Sequence, residues 1–213
     1  MLIAFDLEGT LIDGELFPEL GRRLGYDPAL ARITEMAMNG ALDYEEAINQ
    51  RAKIIDGVPF HLVSEVSGSL RLTTGTATTI NAVKRIGLTP VIITGGFDIL
   101  ADRVARQLHI EYVYANSFDV VGGHVAGVKK PIVTPEAKAI YLEAFANRFG
   151  VNLESCIAVG DGANDIPMIC AAGLGIAFNA KSIVREVADV SVEGDLRRIL
   201  PYVIKFVEDV DTH

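Results

Sequence analysis

Asp6 and Glu8 stand two residues apart at the end of the short apolar run of residues 1–5. In an extended chain that spacing turns both carboxylates to one side and Leu7 to the other. Two acids on one side of a buried strand end repel each other unless a metal, a proton or a cation joins them. Two further polar turns follow apolar runs. Thr94, Gly95 and Gly96 come after Val91, Ile92 and Ile93, and Asp161, Asn164 and Asp165 come after Ile157, Ala158 and Val159. Glycine N–H groups opening a helix make an anion site, and the Thr94 hydroxyl adds a donor. Acids gathered at one sheet edge suit Mg²⁺, which takes oxygen ligands, commonly one or two carboxylates with waters and a phosphate. Lys138 is the cation expected beside that phosphate. Thr134, Pro135 and Glu136 read as a helix start, and a lysine in the first turn opposes the helix dipole, so local stability does not ask for it.

The elements that position these turns follow from periodicity. Apolar runs at residues 2–5, 90–94, 112–115, 156–160, 174–178 and 189–192 alternate with helix-period segments, the pattern of an α/β fold with a parallel sheet. In such a sheet ligands bind beyond the carboxyl ends of the strands. Ala137, Ile140, Tyr141, Ala144 and Phe145 are spaced as one apolar helix face. Residues 119–128 carry valines around Gly122 and Gly123 and read as a β-hairpin. More than 80 residues separate the first strand from Pro90, too many for a simple crossover. They hold an expected N-cap at Asp27 with Pro28 next, a stop at Asn39 and Gly40, a capping box from Asp43 to Glu46, and a break at Gly57 to Pro59. We read residues 14–72 as a helical cap domain inserted after the first strand, with residues 1–13 and 73–213 as the core.

Bulk properties narrow the function. A chain of 213 residues that is 50% hydrophobic builds a sizeable core, and its net charge of -9 argues against general attraction to nucleic acid or anionic membranes. No apolar run reaches the roughly 18 residues that cross a bilayer, so a cytoplasmic protein is expected. Cys156 and Cys170 form no CxxC and read as two reduced, buried thiols. His61, His109, His124 and His213 show no metal-ligand spacing.

The stretches Asp6-Leu7-Glu8-Gly9-Thr10, Thr94-Gly95-Gly96-Phe97, Lys138 and Gly160-Asp161-Gly162-Ala163-Asn164-Asp165 resemble, in order and spacing, the four motifs of the haloacid dehalogenase superfamily. Within it they are most similar to the phosphoserine phosphatase family, over nearly the whole chain. The resemblance implies a Rossmann-like core and a phosphomonoester hydrolase. Asp6 would be the nucleophile and Glu8 the general acid/base, at a position where the family usually has aspartate. Thr94 and Lys138 would hold phosphate oxygens, with Gly95, Gly96 and Asn164 beside them. Asp6, the Glu8 carbonyl and Asp161 would bind Mg²⁺, with Asp165 close by. In the cap, Glu15 and Arg51 would face the ammonium and carboxylate of O-phospho-L-serine, and Met38 and Tyr44 would line its pocket. Glu8 leaves other readings open: a phosphoserine:homoserine phosphotransferase, a phosphatase for another small phosphometabolite, or a non-catalytic sensor. The partner expected throughout is a small phosphorylated metabolite.

Overall fold

The computed structural model describes residues 1–38 and 42–212. The expected helix stop at Asn39 and Gly40, the side chain of Met38, and His213 lie outside the described residues. The strands are β1 (Leu2–Phe5), β2 (Ile12–Asp13), β3 (Arg71–Leu72), β4 (Thr89–Phe97), β5 (Tyr112–Asn116), β6 (Phe118–Val121), β7 (His124–Val128), β8 (Cys156–Gly160), β9 (Leu174–Phe178) and β10 (Val190–Val192). The helices are α1 (Leu16–Leu24), α2 (Asp27–Met38), α3 (Tyr44–Ile54), α4 (Phe60–Ser69), α5 (Thr76–Arg85), α6 (Asp98–Leu108), α7 (Pro135–Phe149), α8 (Ile166–Ala171), α9 (Ser182–Arg185) and α10 (Leu200–Asp211).

Six strands form one parallel sheet in the order β10-β9-β8-β1-β4-β5. Its central strands are apolar on both faces because both faces are covered. Ile3 and Phe5 of β1 join Ile157 and Val159 of β8 in the core under α5, α6 and α10. Leu2 and Ala4 join Cys156 and Ala158 on the opposite face, under α7, α8 and α9. β8, β1 and β4 are neighbours in the sheet, so the three polar turns lie side by side at its carboxyl edge.

Helices α1 to α4 follow β2 and precede β3, and these two short strands pair antiparallel, Ile12 with Leu72 and Asp13 with Arg71. A second attachment runs through the hairpin of β6 and β7, whose turn residues Gly122 and Gly123 both have positive φ, 58° and 79°. Gly57 N–H donates to Val125 O at 2.8 Å, Val125 N–H to Val58 O at 2.9 Å, and Phe60 N–H to Gly123 O at 2.8 Å. Lys130, just past the hairpin, also pairs with Glu45 at the start of α3. The β2–β3 pair and the hairpin thus both fasten the helical insertion to the rest of the fold.

Several local expectations need correction. The buried face of α7 is Lys138, Leu142, Phe145 and Ala146, while Ile140 is 61% exposed. The apolar stripe is rotated because a lysine neutralised by buried carboxylates occupies the inward position. Asp43 does cap α3, accepting from the Glu45 and Glu46 N–H groups, but the Glu46 side chain accepts from Gln50 instead of closing a box. Cys156 is buried and Cys170 exposed, because Met168 and Ile169 take the inward positions of α8. Burial also pushes the Cys156 thiol up to about 11. A thiol-reactive probe at pH 8 is therefore expected to label Cys170 in the native protein and Cys156 only after unfolding, as peptide mapping will show.

Candidate active site

The main chain of Asp6 extends the β1 ladder by one bond, its N–H donating to Val159 O at 2.9 Å. It then turns sharply, with Gly9 N–H on Ile12 O at 2.9 Å and Ile12 N–H on Leu7 O at 2.8 Å. Asp6 and Glu8 reach one site by this turn, so the strand alternation expected between them does not operate. Gly9 sits at φ 81°, and a Cβ there would come within 2.7 Å of the Asp161 carboxyl carbon. Glycine is needed both for the backbone and for the approach of that carboxylate. Thr10 Oγ1 donates to Asp161 Oδ1 at 3.3 Å.

Asp165 closes the turn after β8. One carboxylate oxygen accepts from the N–H groups of Asp161 at 3.1 Å and Gly162 at 3.0 Å. Its other oxygen accepts from Lys138 Nζ at 2.5 Å, and the same ammonium donates to Asp6 Oδ1 at 2.7 Å. Lys138 and Asp165 are both fully buried. Burial opposes the lysine charge, but Asp165 and Asp6 outweigh it and hold the ammonium above the usual lysine range. Asn164 lies on this turn, half-buried, between Gly162 and Asp165.

β4 runs three residues beyond its expected end, through Thr94, Gly95 and Gly96 to Phe97, with an irregular register against β5. The glycine pair therefore belongs to a strand bulge, and α6 begins only at Asp98. Gly96 N–H donates to Thr94 Oγ1 at 2.9 Å, so it does not stand free at a helix end. The glycines instead make room: a Cβ on Gly95 would collide with the Tyr44 hydroxyl, and one on Gly96 with the Glu8 carboxylate. Asn116, which no sequence motif singles out, fixes this bulge. It donates to Gly95 O at 2.7 Å and accepts from Val133 N–H at 2.8 Å, tying β4 to the segment before Lys138.

Glu8 accepts from Leu16 N–H, in the first turn of α1, at 2.5 Å. Burial pushes its carboxyl up to about 7 against that bond, with Glu15 and Asp6 adding to the rise and Arg51 opposing it. Glu15 precedes α1 and is exposed, while Tyr44 and Arg51 share the inward stripe of α3 with Ala47, Ile48 and Ala52. The Leu16 N–H on Glu8 and the Tyr44 hydroxyl against Gly95 place the helical insertion against the sheet edge.

The site gathers Asp6 and Asp165 on one buried ammonium, with Asp161 beside them and Glu8 on the Leu16 N–H. Burial, then Asp165, pushes Asp6 up to about 6; burial, then Asp6 and Asp165, pushes Asp161 up to about 8. Oxygen atoms of Asp6, Asp161 and Asp165 lie within 4.8 Å of one another. Asp165 is committed to Lys138 and two N–H groups, which leaves Asp6 and Asp161 as the donors that would take a cation. An all-oxygen set with excess negative charge fits a hard divalent ion. The arrangement also sets one carboxylate beside an ammonium, and a second that can give or take a proton, next to residues of the helical insertion.

Residues 1–173 match the family described as haloacid dehalogenase-like hydrolase. The chain belongs to the haloacid dehalogenase-like hydrolases. Its relatives in this family include phosphoserine phosphatase SerB2 of Mycobacterium tuberculosis, 43% identical over 192 residues; the match covers 90% of this chain and 47% of the relative, about half its length. The phosphoserine phosphatase of Methanocaldococcus jannaschii is 38% identical over 204 residues, covering 95% of this chain and 97% of the relative. Among solved family structures, a phospho-aspartyl intermediate analogue of phosphoserine phosphatase superposes with a TM-score of 0.90 at 37% identity, covering 94% of this chain and 97% of that one. Among the described residues no helix is long and apolar enough to cross a membrane.

Proposed function

We propose that the chain is a Mg²⁺-dependent phosphoserine phosphatase that converts O-phospho-L-serine and water into L-serine and phosphate. The observation that carries this reading is the Asp6 carboxylate at 2.7 Å from Lys138, at a sheet edge shared with Asp161, where Glu8 lies against Gly96 and the Tyr44 hydroxyl against Gly95. The similarity to the phosphoserine phosphatase of Methanocaldococcus jannaschii along nearly its full length supports the choice of substrate. In this reading residues 14–72 are a cap domain on a core of residues 1–13 and 73–213, and the setting is the cytoplasm.

Asp6 attacks phosphorus, the bond to the serine oxygen breaks, and Glu8 gives that oxygen its proton. Water then attacks the phosphoryl group, Glu8 takes its proton, and the bond to Asp6 breaks to release phosphate. Lys138 and Thr94 hold phosphoryl oxygens, with Gly95, Gly96 and Asn164 alongside. Asp6, Asp161 and the Glu8 carbonyl would hold Mg²⁺, with Asp165 close to it. The ion would supply neutralising charge for the approach of a phosphate to a carboxylate. Glu15 receives the ammonium, and Arg51 the carboxylate as a planar fork. Tyr44 borders the substrate.

Two measurements test this reading. Phosphate release is measured from O-phospho-L-serine and a panel of other small esters, with and without Mg²⁺. Preference for another ester overturns the substrate, and equal rates in chelator overturn the metal. Because glutamate stands at position 8 where aspartate is usual in the family, homoserine is included as an acceptor; a dominant O-phosphohomoserine product would make the chain a transferase. Metal binding also has a readout apart from turnover. At about 100 times its dissociation constant, Mg²⁺ is expected to stabilise by about 2.7 kcal/mol, roughly 5–10 °C in thermal midpoint for a chain of this size. Asp161→Asn is expected to abolish most of that shift.

A further inference from the structure

Arg51 is held from two sides. Its Nε donates to Ala47 O, one turn earlier on α3, at 3.2 Å, and its guanidinium carbon lies 5.1 Å from the centroid of the Phe17 ring. The two Nη groups make no hydrogen bond among the described residues. Phe17 is itself immobilised. It is 5% exposed and meets Phe97 edge-on at 5.4 Å and Phe118 at 6.3 Å, while Phe97 and Phe118 stack at 3.7 Å. Phe97 ends β4 directly after Gly95 and Gly96, and Phe118 opens the hairpin that fastens the insertion. The ring under the guanidinium is thus fixed to the strand that carries Thr94. The preceding residue, Leu16, donates its N–H to Glu8, so consecutive residues of α1 hold the acid/base and the arginine.

We propose that Phe17 is a positioning residue for Arg51, and that through it the aromatic cluster sets the preference for phosphate esters bearing a carboxylate. The proposal rests on the reading of Arg51 as the carboxylate's partner. An aromatic face attracts a guanidinium and fixes its plane. A side chain already ordered before binding loses less freedom when the substrate arrives.

The test compares O-phospho-L-serine with O-phosphoethanolamine, which keeps the ester and ammonium but lacks the carboxylate. The ratio of their kcat/KM values is measured for the wild type, Phe17→Leu, Phe17→Met, Phe17→Tyr, Arg51→Gln and Phe17→Leu with Arg51→Gln. Methionine keeps most of the volume without a ring, so a folded ring-free protein is available if leucine perturbs packing. Loss of the ring is expected to lower the ratio about 3- to 10-fold, through KM for phosphoserine, whereas tyrosine keeps it. In the Arg51→Gln background the same loss is expected to do nothing more. A folded Phe17→Leu or Phe17→Met protein with an unchanged ratio, beside a collapsed ratio in Arg51→Gln, overturns the role of Phe17 alone. An unchanged ratio in Arg51→Gln overturns the reading of Arg51 and takes the proposal with it.

Discussion

Asp6→Asn is expected to lower phosphate release from O-phospho-L-serine by roughly 10⁴-fold or more, the scale on which loss of a nucleophile acts, and to leave the fold intact. The amide matches the carboxylate in shape, and its oxygen can still accept from Lys138, which keeps its bond to Asp165 at 2.5 Å. The substitution removes one negative charge from a buried cluster in which Asp6 and Asp165 share the Lys138 ammonium and Asp161 lies close by. The metal-free variant is therefore expected to melt no lower than the metal-free wild type. Steady-state phosphate release and thermal unfolding in chelator check the two halves separately. Activity within tenfold of wild type would remove Asp6 from the chemistry; a large drop in melting temperature would make it a structural residue.

Lys138→Met carries the opposite pattern, with both activity and stability lost. Lys138 is fully buried and is the ammonium shared by Asp6 and Asp165. A methionine leaves two buried carboxylates without their cation, and breaking a buried ion pair from one side costs about 3–5 kcal/mol. For a chain of this length that is a fall of roughly 6–20 °C in thermal midpoint. Adding Asp165→Asn removes one orphaned charge, so the double variant is expected to be more stable than the sum of the single changes. Additive losses measured by denaturant unfolding would show that the two side chains do not act as a unit.

The strand ends were legible because apolar runs stop abruptly at acids or glycines: Phe5 before Asp6, Val159 with Gly160 before Asp161. The hairpin at Gly122 and Gly123 was legible for a similar reason, since consecutive left-handed residues call for glycine. Other features carry little signal along the chain. β2 and β3 have two residues each, too few for alternation to show. The inward face of α7 passes through Lys138, a residue that a hydrophobic pattern assigns to solvent; only its two distant carboxylates explain its burial. Gly95 and Gly96 read as a turn, yet they extend β4, because their role is to admit Glu8 and Tyr44 rather than to bend the chain. Glu8 was visible as an acid, but its bond to Leu16 N–H depends on a turn no periodicity marks. The cluster of Phe17, Phe97 and Phe118 joins three elements far apart in sequence, and nothing local marks any of them as more than core.

The account turns on Asp6 carrying the phosphoryl group. The most direct measurement is to mix the protein with Mg²⁺ and O-phospho-L-serine, quench in acid within milliseconds, and map acid-stable phosphorylation by peptide mass spectrometry. The expected result is a phosphoryl group on the peptide containing Asp6, formed before steady-state phosphate release and absent from Asp6→Asn. Release of phosphate with no adduct on that peptide, and at an undiminished rate in Asp6→Asn, would contradict it.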